Sequence, residues 1–69
     1  MKINVFGIRV KQELNAQGKT QNDLCMHLNV CKSTVSQWIN GIYEPSLVRF
    51  IEIAKFLEVS TDYLLGLED

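Results

Sequence analysis

A single proline and four glycines in 69 residues leave no room for a flexible linker or a low-complexity tract. No uninterrupted apolar stretch approaches the roughly 18 residues of a membrane helix. The apolar cluster at the N-terminus is broken by Asn4 and Arg9, too early for an export signal, so a cytoplasmic protein is expected. Without export, Cys25 and Cys31 are expected to stay free thiols. One histidine, no glycine-rich phosphate loop and no nucleophile beside a plausible base argue against an enzyme, and no cofactor is implied. Cys25 and His27 lie two residues apart in a helical stretch and point to nearly opposite faces, which excludes a metal pair there.

What is present is an ordinary apolar fraction of 46%, enough for one small core, and residues 1–69 are read as a single domain. The net charge of −1 hides an uneven distribution. Residues 1–49 carry Lys2, Arg9, Lys11, Lys19, Lys32 and Arg49 against Glu13, Asp23 and Glu44, a local balance of +3. Residues 50–69 carry Lys55 against Glu52, Glu58, Asp62, Glu68 and Asp69, or −4. Such a dipole would turn the N-terminal part toward a polyanion.

Period and punctuation give five short helices and no strand, an all-α plan. The first runs from about Asn4 to Gln17 on a Phe6, Val10, Leu14 stripe and stops at Gly18. The second starts behind Thr20 as N-cap, with Asp23 at N3 and Leu24, Cys25 and Leu28 inward. Asn29, which tolerates a left-handed backbone, turns the chain. The third occupies about Lys32 to Asn40, with Val35, Trp38 and Ile39 on its buried side and Gly41 as its stop. After Pro45, Ser46 caps a fourth helix with an inward stripe of Leu47, Phe50, Ile51, Ala54 and Leu57. A last short helix follows Ser60 or Thr61, holds Leu64 and Leu65 and stops at Gly66.

Helices two and three are joined by a three- or four-residue turn, and the third has an apolar back and a polar front of Lys32, Ser33, Ser36, Gln37 and Asn40. That is the physical requirement for seating a helix in a DNA major groove about 12 Å wide. The residues Thr20-Gln21-Asn22-Asp23-Leu24, Leu28-Asn29-Val30, Ser33-Thr34-Val35-Ser36-Gln37-Trp38 and Asn40-Gly41 resemble the Cro and repressor (Xre-type) helix-turn-helix family of phage and bacterial transcription regulators. Glu44-Pro45-Ser46-Leu47, Ile53-Ala54-Lys55 and Leu57 to Leu65 extend the likeness over about residues 6 to 67.

The resemblance implies a compact five-helix lambda-repressor-like domain that binds double-stranded operator DNA as a transcription regulator, with a repressor expected. Lys32, Ser33, Ser36 and Gln37 would face base edges, Lys32 suiting guanine and Gln37 adenine. Gln21 would hold a phosphate, and Asn40 and the Ile42–Glu44 loop, Tyr43 included, would lie along the backbone. A homodimer on an inverted repeat is implied, with half-sites about one helical turn apart. Val48, Ile51, Phe56 and Tyr63 exceed the core stripe and either form the dimer patch or complete the core. A protein partner such as an anti-repressor or toxin is the competing reading, since a fold does not fix a function.

Departures from the family pattern carry information. Members often have Arg where Leu14 stands and Glu where Ile39 stands. Two apolar residues there replace a desolvated ion pair by packing, and the two side chains are expected to touch. Cys25 takes the place of a small core residue, and Cys31 stands where serine commonly caps the third helix, which makes a redox effect on DNA binding conceivable. Lys19 and Glu58 replace positions often apolar and often glycine. The Ile42–Glu44 loop is poor in basic residues, which implies modest monomer affinity.

Overall fold

The computed structural model describes residues 5–67. They form α1 (Val5–Ala16), α2 (Gln21–Leu28), α3 (Lys32–Ile39), α4 (Leu47–Leu57) and α5 (Thr61–Leu65), with no strand among the described residues. This is the five-helix lambda-repressor-like arrangement that the resemblance implied. The expected start of the first helix at Asn4 lies outside the described residues. Asn40, expected as the last residue of the third helix, is its C-cap instead.

Local sequence sets most boundaries. Thr20 accepts from the Asp23 amide at 3.1 Å while the Asp23 carboxylate accepts from the Thr20 amide at 2.9 Å, a reciprocal box that starts α2. Ser46 and Ser60 start α4 and α5 by accepting from the amides of Arg49 and Tyr63. Asn29 (φ 58°) and Glu58 (φ 57°) end α2 and α4 in the left-handed region. Gly66 ends α5 at φ 81°, where a Cβ would lie 2.9 Å from the Val5 side chain. Both constraints make glycine the fitting residue there.

The core gathers Val10 and Leu14 of α1, Leu24, Cys25 and Leu28 of α2, and Val35, Trp38 and Ile39 of α3. Ile53, Ala54 and Leu57 of α4 and Leu64 of α5 complete it. Leu14 and Ile39 are both buried in it, on helices that pack against each other. On α4 the expected inward stripe needs correction: Leu47 is 74% and Ile51 37% exposed. Ile53 takes the core position, and two residues along a helix is about 200° of rotation, so burying Ile53 turns Ile51 outward. Leu47 stands in the first turn, at the margin of the bundle. On α5 Leu64 fills the core, and Leu65 beside it is 54% exposed.

Long polar side chains finish the helix ends that the caps leave open. Arg9 Nη1 donates to the Tyr63 carbonyl of α5 at 2.8 Å. Gln17 Nε2 and Lys19 Nζ donate to the Leu57 and Phe56 carbonyls of α4 at 2.7 and 3.1 Å. Arg49 Nη1 donates to the Leu28 carbonyl of α2 at 2.9 Å and also meets Glu52 at 3.1 Å. Each bond serves a last-turn carbonyl, and that of Tyr63 also accepts from the Gly66 amide at 3.1 Å.

Leu14→Arg alone should cost about 3–5 kcal/mol by stranding a charge, and adding Ile39→Glu should recover part of that loss. Urea denaturation of the two single variants and the double variant measures the coupling. Glu58→Gly should stabilise the fold by about 1 kcal/mol through relief of the left-handed backbone, read from the same transitions.

Candidate nucleic-acid interface

The turn between α2 and α3 is three residues long, Asn29 to Cys31. Asn29 reverses the chain, and its amide and that of Val30 close on the carbonyls of Met26 and Cys25 at 3.3 and 3.1 Å. Val30 then packs against the core. Arg49, holding the Leu28 carbonyl, ties this turn to the start of α4. The angle at which α3 leaves α2 is therefore fixed by backbone bonds on one side and the half-buried Val30 side chain on the other.

Val35, Trp38 and Ile39 bury the inner side of α3. The outer side is a polar stripe: Lys32, Ser33 and Asn40 are exposed, and Ser36 and Gln37 are half-buried. The spacing 32, 33, 36, 37, 40 puts all five on one face of a helix. Asn40 Nδ2 donates to Ser36 Oγ at 3.2 Å, so these two side chains constrain each other. Gln21 is exposed at the first position of α2, beside the Asp23 carboxylate that occupies the same helix end. Tyr43 is 62% exposed in the loop after α3.

The four residues expected at a dimer patch separate into two pairs. Val48 and Ile51 are exposed on α4, whereas Phe56 and Tyr63 are half-buried and engaged within the chain. Phe56 stacks against His27 at 4.6 Å between ring centroids, with Lys19 Nζ 4.5 Å over its ring. Tyr63 carries the Arg9 guanidinium 4.5 Å over its ring and donates from its hydroxyl to Glu13 at 3.2 Å. Desolvation, the hydrogen bond to Glu13 and the Glu13 charge raise the Tyr63 phenol above its ordinary value, and Arg9 partly opposes them.

The carbonyl-holding role of Arg9, Lys19 and Arg49 escaped the sequence reading, which counted them simply as positive charge. Long polar side chains on amphipathic helices give no sequence signal of which distant carbonyl they will meet. Their engagement leaves Lys32 as the cation on the exposed face of α3, with Lys11 exposed on α1. Cys25 is buried and Cys31 exposed, both as free thiols. Cys31 sits at the N-cap of α3 with an extended backbone and makes no capping bond from its side chain. Among the described residues no three His, Cys, Asp or Glu side chains gather into a metal site, and no helix is long and apolar enough to cross a membrane.

Comparison with known proteins yields a match to the helix-turn-helix family profile over residues 10–64. The chain is also similar to the HTH-type transcriptional regulator ImmR of Bacillus subtilis (strain 168), with 28% identity over 64 residues. That alignment covers 93% of this chain and 50% of the relative, so the chain spans about half the relative's length. No solved structure matches.

Cys31→Ser should supply the missing cap by accepting from the Thr34 amide. Stabilisation of about 1 kcal/mol, or about 4–8 °C in Tm for a domain of this size, is expected in a thermal melt followed by circular dichroism.

Proposed function

Because the chain belongs to the helix-turn-helix family, we propose that it binds double-stranded DNA sequence-specifically as a transcription regulator, with α3 lying in the major groove. The observation that carries this reading is the polar stripe of α3 on a helix whose back is locked into the core by Val35, Trp38 and Ile39. A rigid back lets the exposed side hold a fixed register against base edges. Lys32, Ser33, Ser36 and Gln37 are the base-reading residues of this proposal. Gln21, Asn40 and Tyr43 are its phosphate-side residues.

The repressor reading rests on the resemblance to Cro-type regulators and on the simple physics that an occupied operator is closed to other proteins. A homodimer on an inverted repeat completes it, because one domain reads only a few base pairs. The cytoplasm is the compartment in which such a regulator meets its DNA. A second reading, in which the partner is a protein such as an anti-repressor or toxin, is favoured by one observation. Arg9, Lys19 and Arg49 are occupied with carbonyls of the chain itself, which thins the positive charge offered to phosphates.

Selection of bound sites from random DNA, followed by a salt titration, separates the two. The first reading expects an enriched inverted repeat. It also expects a shallow salt slope of about −2 to −4 per monomer, corresponding to roughly two to four neutralised phosphates. Gln37→Ala should relax preference at one base pair, losing about 1–3 kcal/mol of discrimination there. Absence of any enriched site at low salt would turn the assignment to the protein partner.

A further inference from the structure

Four of the six aromatic side chains in this sequence, which has three Phe, two Tyr and one Trp, stand around a single surface groove. Phe6 at the start of α1, Trp38 near the end of α3, Tyr43 in the loop after it and Phe50 on α4 line an open space of about 530 Å³. Phe6 and Phe50 form one wall, ring against ring at 5.5 Å between centroids with 39° between their planes. Trp38 is a fixed inner ring, only 8% exposed, whereas Tyr43 projects into water at 62%. The volume is that of a small-molecule site, about 300–1,000 Å³.

Charge decides the class of occupant. Among the described residues of the lining, Glu44 is the one charged side chain; it is exposed, and no base accompanies it. The face of an aromatic ring carries the negative part of its quadrupole. An anion is therefore repelled by the rings and by the carboxylate, and a cation is attracted by both. An inorganic ion does not suit the groove, since among the described residues no three His, Cys, Asp or Glu side chains gather to replace its water. The two rings outside the groove already use this chemistry. Lys19 Nζ lies 4.5 Å from the Phe56 ring centroid, and the Arg9 guanidinium carbon lies 4.5 Å from that of Tyr63. The fold provides those rings with cations of its own, and the described lining of the groove contains none.

We propose that the groove binds a small organic cation, an ammonium group on an apolar or aromatic body. The body lies against the Phe6–Phe50 wall, and the ammonium lies toward Tyr43, with Glu44 as its counter-charge. This site stands independently of the DNA reading. Asn40 belongs both to the lining and to the phosphate-side residues of that reading, so an occupant would sit beside bound DNA.

The test titrates the full chain with benzyltrimethylammonium at one fixed protein concentration and follows amide and indole NMR signals, with sodium chloride holding the ionic strength constant. Benzyl alcohol and benzenesulfonate present the same ring with no charge and with a negative charge. Tyr43→Leu removes a ring that is mostly in water, so the core stays intact. Glu44→Gln removes the carboxylate charge, and Val48→Ala, exposed on α4 outside the lining, is the control. In the expected result the Trp38 indole and the Tyr43 and Leu65 amides shift saturably with the cation, with a Kd on the order of 1 mM. Benzyl alcohol binds about tenfold more weakly, and benzenesulfonate leaves the signals unmoved. Tyr43→Leu and Glu44→Gln each weaken the cation by about threefold to tenfold while changing benzyl alcohol by less than about twofold, and Val48→Ala changes neither. Equal affinity for the cation and for benzyl alcohol overturns the assignment, as does cation binding that survives Tyr43→Leu undiminished. Shifts confined to Phe56 and Tyr63 place the cation elsewhere and overturn it too. Signals that move on dilution of the protein alone, and not with the cation, give the groove to a second copy of the chain and overturn the proposal. So does the absence of any shift. None of these outcomes bears on the DNA reading, which selection from random DNA tests separately.

Discussion

Short helices leave much of their backbone unpaired, and the fold depends on how those groups are satisfied. The first four amides and last four carbonyls of a helix have no partner within it, which in the eight-residue α2 and α3 is half of each kind. Burying such helices against one another without other partners would cost more than their small apolar faces return. The chain meets this with side-chain caps at the starts of α2, α4 and α5 and with Arg9, Gln17, Lys19 and Arg49 at helix ends belonging to other elements. Packing and polar satisfaction are thus one problem, solved by residues far apart in sequence.

The candidate interface inherits its rigidity from that solution. Arg49 reaches back from α4 to the last carbonyl of α2, at the entrance to the turn. Trp38 and Ile39 anchor the back of α3, and Leu14 and Ile39 are both buried on helices that pack against each other. Of the described starts of α2 to α5, that of α3 alone lacks a side-chain cap bond, since Cys31 offers sulfur where an oxygen would bond. Electrostatics follow the same division. Three cations of the basic N-terminal part serve the fold, and a helix face with little charge is left for the ligand.

Much of this was legible from residue type and spacing. Thr20 with Asp23, Ser46 and Ser60 are local signals, because a cap and its amide lie three residues apart and need nothing from the rest of the chain. Val10, Leu14, Leu24, Leu28, Val35 and Leu57 fall on inward stripes that any helix of that phase would bury. The polar front of α3 could be read for the same reason, as the face opposite Val35, Trp38 and Ile39. Leu47 and Ile51 share the inward stripe by spacing yet are exposed, because a stripe tells which residues share a face but not how far the neighbouring helices extend to cover it.

The sequence by itself therefore determined the five helices of the described residues, the starts of α2 to α5, the turns, most of the inward faces and the polar stripe, all of which follow from interactions spanning a few residues. The tertiary structure alone decided which carbonyl each long side chain would serve, that Ile53 rather than Ile51 enters the core, and that Trp38, Tyr43, Leu47 and Leu65 surround one groove. Those outcomes depend on the relative positions of whole helices, which are fixed by packing and by bonds such as Gln17 to Leu57 that span 40 residues.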